Sequence, residues 1–352
     1  MKPTTGQQTQ REIFDSVLTF ADPPRIGFAL PQPYPNDTVH AGRRRPVDRT
    51  VTPAPGELRR WVDEWGCTWA SLTEFDKGEV VEPAITDWSD LDDYQPPDLG
   101  RADDYADVAA AFAADPHRYR IGHLPGFTFN VARKLRRLDN YLCDLVLQPD
   151  RVRRLNELVR AELIKAIDRL ADAGADAVMF PEDWGTQGGL MISPEMWREF
   201  FAPEFEALAG QARRRGMIVI MHSCGKMTDI IEDLISLGVG CLQFDQPRVH
   251  GIDLLAERFG GRVAFWCPVD TQRTLQTRDV EKIRGDAKEM IEKLGGFPAP
   301  PGAEGKAQRD RSAPRRPRGG FVAGNYPTPE AIGITQELQN IACEAFVEYG
   351  GG

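Results

Sequence analysis

No stretch of this sequence holds the roughly 18 consecutive apolar residues that a membrane-spanning helix requires, so no span is expected. The apolar core of a secretory signal is missing as well. The first residues, MKPTTGQQTQREIF, are polar, and a cytoplasmic location is the expectation. Basic clusters are scarce: Lys and Arg number 43 against 53 Asp and Glu, which leaves a net charge of −10. A nucleic-acid surface or a patch for anionic lipid needs the opposite balance, so neither partner is expected. Six cysteines in 352 residues are too few for a disulfide framework. In a reducing compartment they stand as free thiols or metal ligands. No GxGxxG follows an apolar strand, which removes the usual signature of a doubly wound dinucleotide-binding sheet.

What is present is a rhythm. Residues 1–24 read as a lead-in whose helix carries Ile13, Phe14, Val17 and Leu18 at helical spacing. Residues 25–350 read as one barrel. Apolar strands stand at Arg25–Leu30, Tyr119–His123, Ala177–Phe180, Ile218–His222, Cys241–Phe244, Val263–Trp266 and Gly320–Ala323. Helical patterns separate them from residue 126 onward, and Gly174, Gly216 and Gly238 stand where helices should end. Strict alternation of strand and helix means parallel strands with crossover helices. Near-continuous apolar strands mean a sheet buried on both faces. The fold class is therefore α/β, a (β/α)8 TIM barrel. Two stretches depart from the rhythm. Residues 31–98 read as an insertion, first rich in Pro and Arg, then in Trp, with a hairpin around Lys77-Gly78. Residues 298–319 are rich in Pro, Gly, Arg and Ala. They bury too little to offset the entropy of ordering, so a disordered loop is expected there.

In such a barrel the residues just past the C-terminal strand ends face the substrate. Those ends supply Glu182 and Asp183, His222 and Cys224, Asp245 and Gln246, Cys267 and Asp270, and Asn325 and Tyr326. Glu182, Asp183, Asp245 and Asp270 are the candidate catalytic carboxylates, able to act as acid or base, to bind a cation or to orient an imidazole. Asp183 and Asp270 can equally cap the segments that follow them. Gln187, Gln246, Asn325 and Tyr326 are the candidate substrate-binding groups. His222 and Cys224 are two apart in extended chain and so share a side. Their donors suit zinc, and Cys267, two strands later at the same level, is the expected third ligand. The same residues also fit a buried small thiol beside a hydrogen-bonded imidazole. Cys67, Cys143, Cys241 and Cys343 read as structural.

Three runs carry a family resemblance. PEDWGTQGGLMISPEMWREFFAPEFEAL begins at Pro181, MHSCGKMTDIIEDLISLGVGCLQFDQP at Met221, and ERFGGRVAFWCPVDTQRTL at Glu257. In this order they resemble the uroporphyrinogen decarboxylase superfamily, which holds haem-pathway decarboxylases and cobalamin-linked methyltransferases. The resemblance covers roughly residues 60–350 and implies the same (β/α)8 barrel. The decarboxylase branch carries an Arg-Gln-Ala-Gly-Arg stretch after its first strand. Here Pro31-Gln32-Pro33-Tyr34 stands instead, with Arg43, Arg44 and Arg45 further on. The methyltransferase branch carries an H-x-C pair as zinc ligands, which His222 and Cys224 match. Its later Cys falls in the last-strand region, where this chain has Gly324-Asn325-Tyr326. The resemblance thus implies a zinc-assisted methyltransferase acting on a methylated small molecule, with a corrinoid, or a corrinoid protein as partner, giving or taking the methyl group. Two other readings stay open. One is a metal-free decarboxylase of a porphyrinogen-like or carboxylated aromatic substrate, with Asp183 or Asp270 facing the ring nitrogens. The other is a non-catalytic barrel that binds a tetrapyrrole or corrinoid.

Overall fold

A computed structural model describes residues 8–44, 58–72, 78–296 and 318–351. Eight strands build one parallel sheet: β1 (Gly27–Phe28), β2 (Thr38–Gly42), β6 (Tyr119–His123), β7 (Ala177–Pro181), β8 (Ile218–His222), β9 (Cys241–Gln243), β10 (Ala264–Cys267) and β11 (Phe321–Ala323). Their spatial order is β1-β11-β10-β9-β8-β7-β6-β2, a nearly closed barrel with helices around it. Three further strands, β3 (Arg59–Val62), β4 (Thr68–Ser71) and β5 (Glu79–Glu82), form a separate antiparallel sheet. β4 and β5 pair on either side of Gly78, where the sequence places a hairpin. The loop expected at 298–319 falls, for residues 298–317, outside the described residues.

The strand missed by sequence reading is β2. Thr38–Gly42 lies inside the stretch read as an insertion, yet it pairs with the whole of β6, from Thr38 opposite Tyr119 to Gly42 opposite His123. No helix connects β1 to β2. The two meet at a seam of side-chain and main-chain bonds. Ala29 bridges Asn36. The Asp37 N–H donates to the Phe28 carbonyl at 2.7 Å. The fully buried Asp37 carboxylate accepts from the Phe28 N–H at 2.9 Å and from both terminal nitrogens of Arg25 at 2.7 Å.

Alternation along the strands sorts the core into two layers. Tyr119, Ile121, Ala177, Ile220, Cys241, Ala264, Trp266 and Val322 fill the barrel interior. Val178, Phe180, Val219, Met221, Leu242, Phe265, Cys267 and Phe321 point the other way, into the layer shared with the helices. The lead-in helix Gln10–Leu18 adds Phe14, Val17 and Leu18 to the inner layer. Its start is set by a reciprocal box, Thr9 with Glu12. Full burial of each such side chain contributes about 1.5–3 kcal/mol. Gly174, Gly216 and Gly238 take left-handed backbone after the helices, as the sequence requires.

Candidate functional site

The site is assembled by two glycines. Past β7 the chain folds back on itself, with Gly185 bridging Leu190, and Thr186 bridges Lys226 in the loop past β8. Gly225 has φ +73°, and a Cβ on it would lie 2.2 Å from the Gly185 carbonyl oxygen. A Cβ on Gly185 would lie 2.5 Å from the Gly225 carbonyl carbon. Only residues without side chains let these two backbones touch. Their contact brings the residues just before them together: Asp183 Oδ1 accepts the Cys224 N–H at 2.8 Å.

Three side chains converge there. His222 Nε2 lies 3.5 Å from Cys224 Sγ and 3.8 Å from Asp183 Oδ1. One donor atom from each of the three lies within 4.8 Å of the other two. Among the described residues this is the one such group of three His, Cys, Asp or Glu. Behind it, His222 Nδ1 is hydrogen-bonded to Gln243 Oε1, and Gln243 Nε2 donates to Asp245 Oδ1 at 2.9 Å. Tyr326 completes this wall. Burial, then the charges of Asp245 and Cys224, push its hydroxyl up. Its backbone is held by Gln339, which accepts the Tyr326 N–H at 3.2 Å and donates to the Tyr326 carbonyl at 2.6 Å. At the rim, Gln187 Nε2 donates to Gln246 Oε1 at 3.1 Å. The Asn325 amide turns to the Tyr326 carbonyl at 3.3 Å.

The same alternation explains what does not converge. Pro181 and Asp183 point inward, so Glu182 points out. Its carboxylate accepts from the N–H groups of Phe127, Phe129 and Asn130 at 3.0–3.1 Å, anchoring the start of the helix Thr128–Arg136. Burial pushes the Glu182 carboxyl up to about 8, against the pull of those three donors. Trp266 points inward, so Cys267 points out, is fully buried among helix-layer apolar residues and does not join the His222–Cys224 group. Burial pushes its thiol well above the ordinary value. Asp270 closes turns instead of facing the group: it accepts from Arg248, Gln272 and Arg273 N–H at 2.7–3.1 Å. Of the strand-end carboxylates, thiols and imidazole, the structure thus brings together Asp183, His222 and Cys224, with Asp245 behind them. Of the cysteines read as structural, Cys67, Cys241 and Cys343 are buried, and Cys143 is exposed.

Two residues were overlooked. His40 Nδ1 lies 2.8 Å from His123 Nε2, with the rings stacked 5.0 Å apart, and His40 Nε2 lies 3.0 Å from Thr38 Oγ1. The His40 ring also lies 5.9 Å from the ring of Trp266, which points into the barrel. Burial first, and His123 second, bring the His40 pKa down to about 3. His123 ends β6, at the strand end where such groups are sought, and was findable. His40 sits on β2, the strand that composition hid.

The profile of the family described as Uroporphyrinogen decarboxylase (URO-D) matches residues 70–302. No curated protein matches the chain. Among solved structures, a methyltransferase from Methanosarcina mazei superposes with a TM-score of 0.60 at 17% identity, over 81% of this chain and 76% of that one. A B12-independent methionine synthase from a Shewanella species, solved with selenomethionine, reaches a TM-score of 0.45 at 10% identity, over 69% of this chain and 65% of that one. At such identities the likeness concerns the fold, and it is the profile match, spanning most of the barrel, that decides membership. The chain belongs to the uroporphyrinogen decarboxylase family.

Proposed function

We propose that the chain is a methyltransferase that uses zinc held by Asp183, His222 and Cys224. The observation that carries this reading is the convergence of the three donor atoms within 4.8 Å at the C-terminal end of the barrel. The donor set fits the ion: a thiol, an imidazole nitrogen and a carboxylate are all ordinary zinc ligands, and three protein ligands leave a position open. When bound, the ion would lower the pKa of a thiol acceptor and so favour its nucleophilic thiolate form. The residues of the chain do the rest. The Tyr326 hydroxyl is near enough to feel Asp245 and Cys224, and the Gln187–Gln246 pair forms the rim that a methylated small molecule, or the methyl group of a corrinoid on a partner protein, would pass.

The third ligand in this reading is Asp183, not Cys267. The last-strand region, to which the resemblance assigns a cysteine, begins with Gly324. A Cβ there would lie 2.6 Å from Trp266 Nε1, so the indole occupies the space a side chain would need. Decarboxylation without a metal is less well supported, because the backbone donors around Asp270 leave Asp183 alone to face a substrate.

The test is zinc per chain after metal-replete expression, together with methyl transfer from methylcobalamin to a small thiol such as 2-mercaptoethanol. Wild type should hold about one zinc, and Cys224→Ser and Asp183→Ala should lose it while Cys267→Ser keeps it. A zinc-free wild type overturns the reading. Loss of zinc in Cys267→Ser with retention in Asp183→Ala overturns the ligand set.

A further inference from the structure

We infer that Asp245 and Gln243 are positioning residues that lock the tautomer of His222, through a relay running Asp245 to Gln243 to His222. The consequence for metal binding rests on the zinc reading above, whereas the tautomer itself does not.

The argument starts from what each group is able to do. A carboxylate only accepts hydrogen bonds. Asp245 Oδ1 therefore selects the NH2 end of the Gln243 amide, which lies 2.9 Å away. That leaves the Gln243 carbonyl oxygen facing His222 Nδ1. An oxygen only accepts here, so Nδ1 must carry the proton. A neutral imidazole has one N–H, so the lone pair falls on Nε2, the nitrogen that faces Cys224 Sγ and Asp183 Oδ1. The amide orientation, which coordinates alone often leave open, is here dictated by chemistry.

Strand geometry holds the relay in place. Gln243 is in register with His222 across the β8–β9 pair. Asp245 lies two residues further on and so on the same side. Both Gln243 and Asp245 are buried, and the Asp245 carbonyl accepts from Thr271 N–H at 3.2 Å and Thr271 Oγ1 at 2.9 Å, which ties it to the loop past β10. Q-x-D on β9 thus answers H-x-C on β8. Asp245, expected from the sequence to be catalytic, acts through Gln243 instead of touching the reacting atoms.

The experiment is 15N NMR of histidine-labelled, metal-free protein, with zinc affinity measured by chelator competition on the same samples. In wild type His222 should be the Nδ1–H tautomer. Gln243→Leu and Asp245→Ala should convert it to a mixture of tautomers and weaken zinc about 10–100-fold, the range for loss of a group that orients a metal-ligating histidine. Asp245→Asn can still offer a carbonyl oxygen to the Gln243 NH2, so it should keep most of the Nδ1–H population. It also serves as the reference should Gln243→Leu fail to fold. An Nε2–H tautomer in wild type overturns the relay, and so does an unchanged tautomer in folded Asp245→Ala. A tautomer that responds as stated in a protein that binds no zinc upholds the relay and removes the zinc reading. Zinc bound by a protein whose His222 ignores both variants does the reverse.

Discussion

Glu182 and Asp183 are neighbours of the same charge at the end of the same strand, and they face opposite worlds. Glu182 is sealed in the helix layer with three backbone N–H partners, whereas Asp183 stands at the barrel mouth beside His222 and Cys224. Cys224 and Cys267 repeat the contrast, the first in the lumen group and the second fully buried outside it. A strand end marks the face where a barrel gathers its polar groups, and the parity of the position says which of them faces the lumen. The helix side uses the same residue types as staples.

The sharpest break in this contrast should come from removing the staple. Glu182→Ala leaves three buried N–H groups without an acceptor, each costing about 1–3 kcal/mol, so urea melts should show a loss of roughly 3 kcal/mol or more. Asp183→Ala should cost within about 1 kcal/mol, since its partner Cys224 N–H sits at a partly exposed position near water. Equal losses in the two variants would erase the distinction. Gly225→Ala comes next. It forces a side chain into left-handed backbone and against Gly185, for about 1–3 kcal/mol of strain. It should also separate Asp183 from Cys224, so zinc should be lost even where the protein still folds.

A third test uses His250, which lies on the helix side stacked 4.4 Å from Phe244, with Nδ1 3.0 Å from Thr228 Oγ1. Burial brings its pKa down to about 4 from the usual 6.5. The unfolded chain then binds the extra proton between those values, and the folded chain does not. Stability is full above pH 6.5 and falls as pH drops toward 4, by up to about 1.4 kcal/mol per unit from this residue. Denaturant melts at pH 7, 6 and 5 should show that slope in wild type and a shallower one in His250→Gln. Cys267→Ser sets a hydroxyl in an apolar layer, for about 1–2 kcal/mol. Its zinc content should match wild type.

Much of this was legible in advance. Seven barrel strands announce themselves as apolar runs, because a strand buried on both faces has few polar positions. β2 did not, since Thr38–Gly42 has a His, an Ala and a Gly, lies between Pro-rich and Arg-rich segments, and borrows its order from β6. The H-x-C pair was legible by the two-residue period alone. Applying the same period to Phe265, Trp266 and Cys267 would have turned Cys267 outward, since a bulky inward Trp266 fixes the parity of its neighbour. Asp183 was named for chemistry or capping, yet its place beside Cys224 depends on the Gly185–Gly225 contact, which joins residues from two loops and leaves no local pattern. Gln243 gave no signal of its own, being one amide in an apolar strand.

The seam between β1 and β2 bears on how the chain acquires its shape. β1 has one ladder partner, β11, with Gly27 opposite Val322 and Phe28 opposite Ala323. The Ile26 N–H also reaches the Gly350 carbonyl, at 3.3 Å. Contacts this distant in sequence form late, because the loop entropy of closing them must be met first. Each strand from β6 to β10 pairs with the barrel strand before it in the chain, whereas β1 finds its ladder partner only in Phe321–Ala323. The Arg25–Asp37 pair, its carboxylate fully buried, ties β1 to the start of β2 through local contacts. An exposed strand edge invites pairing with other chains. That local clasp gives the nascent barrel a prearranged corner against which its last strand closes.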